Sequence, residues 1–265
     1  MRDSNTQTLY DYLVSEYNHH FDYWDWSYLD GRRVDVATQP KMWDYIRAVQ
    51  TAMQQVQSIL DMRTGGGEKF ADLLRQYPVP HAYATEGYAP NLAMAHRLLD
   101  PLGATVYAVD DETLPFADNT LELIINRHGS YNPREVLRVL KPGQHFITQQ
   151  VSDQANVRIH ELLGRQKELL SYEGAPHKSA WNLEYATHEL HAHGWQIIEQ
   201  HEHFHTTRFL DLGAFVYYLK AIPWEVPDFS INAYFDKLIE IQRIFERDGM
   251  LDIPFHTFFI IARKP

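Results

Sequence analysis

The chain has no cysteine, which removes disulfides, thiolate metal sites and cysteine nucleophiles and leaves packing to hold the fold together. It also lacks a run of eighteen apolar residues and a basic-then-apolar amino terminus with a cleavage site. Neither a membrane span nor a secretory signal is expected, and the location is read as cytoplasmic. Basic charge is scarce: 24 Lys and Arg against 35 Asp and Glu give a formal net charge of −11. Such a surface repels a polyphosphate backbone unless a local basic stripe compensates, and none is found. The pairs Arg32–Arg33 and Arg263–Lys264 are the densest basic spots and read as solvated surface. A nucleic acid is therefore not expected as partner.

What the chain does have is length and apolar content. With 265 residues, 45% of them hydrophobic, it is read as one domain over 1–265: a helical cap (1–57), a central core (58–151), and insertions with closing strands (152–265). Asn5 to His20 reads as an amphipathic helix. The following loop carries Phe21, Tyr23, Trp24, Trp26 and Tyr28, and that much apolar area must fold back on something, either as a cap over the core or as a lid over a pocket. A helix is expected after Pro40, with Tyr45, Val49 and Met53 on one face.

The chain is organised around Ile59 to Leu74. An apolar run ending in Asp61, then Gly65, Gly66 and Gly67, then a helical pattern with Phe70, Leu73 and Leu74 on one face describes a strand, a tight loop and a helix. Glycines there admit positive φ and close backbone approach to a ligand. Three further strands follow, ending at Glu86, at Asp110 and Asp111, and at Asn126, with helical segments between them. The turn Lys141–Pro142–Gly143 then leads into another strand. Alternation at this spacing implies a parallel sheet covered on both faces, with ligands at the carboxyl ends of the strands. Beyond Val151 helices are expected at about 154–170, 183–193, 211–220 and 231–247, and the last strand is FHTFFIIARK.

The ordered set LDMRTGGGE, Glu86, AVDDETLPFAD, LIINRH and RVLKPGQHFI, with the closing FFIIARK, resembles class I S-adenosylmethionine-dependent methyltransferases of the small-molecule type. The resemblance implies an α/β Rossmann-like fold, a mostly parallel seven-stranded sheet with its last strand antiparallel, and S-adenosyl-L-methionine as cofactor. By this likeness Asp61 and the loop of Arg63, Thr64, Gly65, Gly66 and Gly67 hold the methionine end. Glu86, beside Gly87, takes the ribose hydroxyls, for which a carboxylate's acceptor oxygens are suited. Asp111 or Asp110 marks the adenine, and Asn126 with Arg127 lines the wall below the transferable methyl. Arg63 stands where the family usually has glycine, so it either crowds the cofactor, turns into the pocket wall, or pairs with Asp61, Glu86 or a ligand carboxylate.

His128, at the end of the fourth strand, is the candidate catalytic residue, a proton acceptor whose competing reading is a helix cap or a backbone partner. His201, His203 and His205 alternate on a strand, which spaces same-face residues too widely for one ion; they read as surface or pocket-wall residues and no metal is expected. The acceptor is read as a small molecule. Two alternatives stand beside methyl transfer: a noncatalytic protein that binds the cofactor or its demethylated product, disabled by Arg63, and a nicotinamide oxidoreductase, whose GxGxxG spacing the loop lacks.

Overall fold

The computed structural model describes residues 4–21, 25–37, 39–109, 113–167 and 181–265. Tyr23, Trp24, Asp110 and Asp111, singled out above, lie outside the described residues. The chain divides into two compact units, here called the sheet unit (Lys41–Ser152, Ser171–His203 and Thr257–Pro265) and the helical unit (Met1–Pro40, Asp153–Leu170 and Phe204–His256).

The sheet unit is built on β2 (Ser58–Met62), β3 (His81–Thr85), β4 (Thr105–Tyr107), β5 (Leu121–Arg127) and β6 (Leu140–Val151). These pair in parallel, β2 with both β3 and β5, β3 with β4, and β5 with β6. Every residue of β2 is buried, as a central parallel strand covered on both faces requires. Alternation sorts its side chains. Ile59 joins Ala82, Ala84, Leu123 and Ile125 in one core, with Val49 and Met53 of α2 (Tyr45–Met53), Phe70 and Leu74 of α3 (Glu68–Gln76) and Leu99 of α4 (Ala89–Leu99). Leu60 and Met62 join Ile124 and Phe146 in the other, with Val136 and Val139 of α5 (Pro133–Val139) and Leu190 of α7 (Leu183–Ala192).

The last strand, β8 (Leu251–Arg263), runs antiparallel to β6 with Val151 opposite Thr257. With β1 (Arg33–Val36) and β7 (Gln196–Phe209) the strand order is β1-β7-β8-β6-β5-β2-β3-β4. The expected fold class is thus found, with one strand more among the described residues than the seven expected. Arg33 to Val36, read as part of an irregular loop, pairs antiparallel with the end of β7. The expected turn at Lys141–Gly143 is also absorbed into a strand: β6 begins at Leu140, and Gly143, at φ +79, donates its N–H to the Lys264 carbonyl at 2.8 Å.

The helical unit contains α1 (Ser4–Asn18), α6 (Val157–Leu162), α8 (Leu212–Ala221) and α9 (Ile231–Asp248). The α6 helix is much shorter among the described residues than the helix expected over 154–170. Leu13, Phe215, Tyr217, Leu219, Phe235, Leu238 and Ile241 form its core. The aromatic loop packs back on this core: Phe21 and Tyr28 meet the Tyr217 ring, and Trp26 meets Tyr218. Of the two roles left open for the loop, cap or lid, these contacts are those of a cap on the helical core. Arg32, read as solvated surface, is instead a structural tie. Its guanidinium grips Asp211 bidentately at 2.9 and 2.6 Å and reaches Glu16 at 3.1 Å, while Asp211 also caps α8 through the Ala214 N–H.

Candidate functional site

The glycine loop leaves β2 through Arg63, whose φ of 53° is left-handed, and reaches α3 through Gly65 and Gly67 at φ +65° and +84°. A Cβ on Gly67 would lie 3.0 Å from the Leu99 side chain, so glycine is needed there for conformation and for space alike. The loop is stitched to the end of β3. Thr64 N donates to the Thr85 carbonyl at 3.0 Å, and Arg63 N to Thr85 Oγ1 at 3.3 Å. Gly65 N donates to Glu86 Oε2 at 2.8 Å.

Glu86 is buried at the tip of β3. Its Oε1 accepts from Tyr88 N at 2.7 Å, and Asn91 Nδ2 approaches Oε2 at 3.4 Å. A carboxylate has about four acceptor positions, so these donors fix its orientation and leave capacity on Oε1. Gly87 beside it is exposed.

Asp61 is buried at the end of β2 and accepts from Thr64 Oγ1 at 2.7 Å. Burial pushes its pKa up to about 7, with Glu86 adding to the rise and the Thr64 hydroxyl and Arg127 opposing it. Tyr45, on α2, is raised well above its ordinary value by burial and then by the Asp61 charge. One cluster thus collects Asp61, Thr64, Glu86, Arg127 and Tyr45, and Tyr45 was visible in the sequence only as a helix-face residue.

Asn126 lies opposite Met62 in the register and is fully buried. Its Nδ2 donates to the Met62 carbonyl at 3.1 Å, and its Oδ1 accepts from Gln150 Nε2 at 2.6 Å and Thr148 Oγ1 at 3.3 Å. Gln150 also donates to the Gly129 carbonyl at 3.0 Å. The amide therefore braces the strand ends, with every one of these bonds made inside the protein. Gln150 and Thr148 escaped the sequence reading, although the run Thr148–Gln149–Gln150 directly after the apolar Phe146–Ile147 of a strand expected to be covered on both faces signals a buried polar network.

His128 adopts φ +58°, donates its backbone N–H to the Gln149 carbonyl at 2.8 Å, and places Nε2 2.7 Å from Gln149 Nε2. An amide N–H donating to that ring nitrogen fixes the neutral ring, an assignment made from the network. Crowding by protein atoms and the positive charges of Arg127 and Lys41 lower its pKa. The residue still presents surface to solvent, so the hydrogen bond and the two cations, more than burial, keep the ring neutral. Beside it, Gly129 lies under Arg63: a Cβ there would stand 2.9 Å from both Arg63 Cβ and Cδ.

The LPFAD connection is held by a residue the sequence reading passed over. Arg138 donates to the carbonyls of Leu114 (3.2 Å) and Phe116 (2.9 Å), and pairs with Asp118 (2.8 Å) and Glu135 (2.6 Å). Glu135 in turn accepts from Leu114 N at 2.7 Å. Phe116 thereby sits edge-on to Tyr83 and Tyr107, at 5.1 and 5.4 Å.

An open depression of about 270 Å³ in the helical unit, lined by Phe204, His205, Phe255 and His256 among others, holds none of the residues assigned above to the cofactor or to catalysis. His205 is thus a pocket-wall residue, and His201 bonds Glu199 at 3.0 Å. Among the described residues no three His, Asp or Glu side chains converge as a metal site would require. No helix of the described residues is long and apolar enough to cross a membrane.

A scan against protein-family models and a search of curated proteins found no match. Solved structures do match. A provisionally assigned methyltransferase from Bacillus halodurans C-125 is 18% identical, with a TM-score of 0.59 over 84% of this chain and 99% of that one. A protein of unknown function from Deinococcus radiodurans R1 is 14% identical and aligns over 100% of both chains at a TM-score of 0.57. The [4+2]-cyclase SpnF is 16% identical, at 0.51 over 97% of this chain and 95% of that one. The antiparallel β8 between β6 and β7 also departs from the all-parallel order of dinucleotide domains. This chain has the Rossmann-like fold of the class I S-adenosylmethionine-dependent methyltransferases.

Proposed function

We propose that the protein binds S-adenosyl-L-methionine and transfers its methyl group to a small-molecule acceptor. The observation that carries this reading is the closure of the glycine loop on the strand-end acid, Gly65 N to Glu86 Oε2 at 2.8 Å, in a sheet of the methyltransferase order. Asp61, Thr64 and the loop backbone face the methionine end. Glu86 takes a ribose hydroxyl on Oε1, with Gly87 and Tyr88 at the rim, and Asp110 or Asp111 marks the adenine. Asn126 positions the wall through its buried amide, and Arg127 contributes its charge to that wall.

Methyl transfer needs an in-line approach of the acceptor to the sulfonium methyl, with positioning and exclusion of water supplying much of the gain. No base is obligatory. His128, neutral and bonded to Gln149, is a weak proton acceptor, and we assign it to the wall of the site. Incubation with methyl-labelled cofactor and pooled small hydroxylated and aminated acceptors tests turnover: label must appear in an acceptor, and its absence across pools while the cofactor stays bound would contradict catalysis.

A second reading, cofactor binding without turnover, is favoured by one observation. Arg63 occupies a left-handed position usual for glycine and lays its stem on Gly129. The same labelled incubation, with binding measured alongside, separates the two.

A further inference from the structure

Two cations stand at the strand-end wall of the sheet unit without a salt bridge. Arg127 closes β5 opposite Gln149 of β6, and Gln149 stands opposite Phe259 of β8. Residues paired across a sheet share a face, so the three form one row. The Phe259 ring carries the buried Trp43 indole, stacked at 5.1 Å and 9°. Lys41 in turn lays its Nζ 3.6 Å from the Trp43 ring centroid, a cation–π contact that holds the ammonium in place. All of these residues belong to the sheet unit.

Among the described residues neither Lys41 nor Arg127 forms a salt bridge or a side-chain hydrogen bond, and Arg127 Nε is shielded from water without an acceptor. The two charges feel each other. Crowding by the protein lowers the Lys41 pKa, and Arg127 adds to the fall against the pull of Asp44. Both cations also act on the His128 ring. His128 and Lys41 are exposed, so this part of the wall is open to an entering ligand.

Charge and shape select that ligand. Like charges held close without a counterion disfavour one another, and an anion between them removes the conflict. The carboxylates that act here are already engaged: Asp44 caps α2 through the Arg47 N–H at 3.1 Å, and Asp61 accepts from Thr64. With these offsetting part of the positive charge, the surplus suits a monoanion, whereas a phosphate monoester brings nearly twice that charge. A guanidinium fork also matches the two oxygens of a carboxylate.

We propose that Lys41 and Arg127 hold the carboxylate of an anionic acceptor at the wall of the site. The role of acceptor rests on the methyl-transfer reading; carboxylate binding is measured without turnover.

The test follows the Arg127 Nε–H resonance of the whole protein during titration with sodium acetate. Acetamide serves as the neutral isostere and sodium chloride as the control of ionic strength, each with and without saturating S-adenosylhomocysteine. Acetate must shift the resonance saturably in both states, and acetamide and chloride must not. Lys41→Met, which keeps an apolar stem at an exposed position and removes the charge, must weaken the acetate response about tenfold. An unchanged response in that variant, no response to acetate, or an equal response to acetamide or chloride would overturn the proposal. Loss of the acetate response when S-adenosylhomocysteine is present would give the two cations to the nucleoside's own carboxylate and overturn it as well. Calorimetry of nucleoside binding, run alongside, separates the two readings: acetate binding without nucleoside binding defeats the cofactor reading and leaves the carboxylate site standing.

Discussion

Gly65 N donates to Glu86 Oε2 at 2.8 Å, so the loop after β2 and the acid after β3 form one hydrogen-bonded corner. A charged acceptor that orders a loop and also takes a ribose hydroxyl serves twice. Glu86→Ala is therefore expected to weaken S-adenosylmethionine binding at least tenfold, and Glu86→Gln, which keeps the shape and one acceptor oxygen, by less. Titration calorimetry of both variants checks the order; equal affinity for wild type and Glu86→Ala would remove the acid from the site.

Asp61 gives the site a pH signature. Its folded pKa of about 7 lies above the ordinary carboxylate value. Between about pH 4 and 7 the unfolded chain has ionised this group while the native protein keeps the proton, so the native state loses stability as pH rises through that window and the loss is level above it. Asp61→Asn removes the dependence. Denaturant unfolding should show the variant gaining on wild type from pH 4 to 7, by on the order of 2–4 kcal/mol. A constant difference across that range would contradict the assignment.

Arg63 and Gly129 are matched in shape. With a Cβ at 129 falling 2.9 Å from the Arg63 stem, Gly129→Ala is expected to destabilise the protein by about 1–3 kcal/mol. Arg63→Gly relaxes a left-handed residue and clears the space. The double variant should therefore recover most of the Gly129→Ala loss, with a coupling above about 0.5 kcal/mol. Thermal or denaturant unfolding of the four proteins measures it, and strict additivity would show that the two positions do not meet.

Arg138 holds the LPFAD connection by three contacts, to the Leu114 and Phe116 carbonyls and to Asp118, and pairs with Glu135 on its own helix. Arg138→Ala should cost about 1–3 kcal/mol and leave the Phe116 carbonyl without its Arg138 donor, while the Leu114 carbonyl keeps the Phe116 N–H at 2.8 Å. Arg138→Lys should recover only part of this, because an ammonium cannot reproduce the planar fork. Full recovery in the lysine variant would reduce the role to charge alone.

The sequence was most readable where a local pattern and the fold agree. The run Ser58–Met62, the glycines after it and the acid ending the next strand all carry their geometry in residue type, because a buried strand must be apolar and a left-handed turn favours glycine. Arg33–Val36 was not readable, since a short edge strand with one partner is mostly exposed and has no period to show. Arg32 and Arg138 were missed for a different reason. A long polar side chain reveals its role only through the carbonyls and carboxylates that distant chain segments bring to it, and nothing in its own neighbourhood announces them.

The most direct test of the account is calorimetric titration of the intact protein with S-adenosylmethionine and S-adenosylhomocysteine at pH 8, where Asp61 is ionised. Saturable one-to-one binding of both, weakened in Glu86→Ala, is the expected result. No heat and no binding of either compound at millimolar concentration would contradict the claim that the glycine loop and Glu86 form a cofactor site.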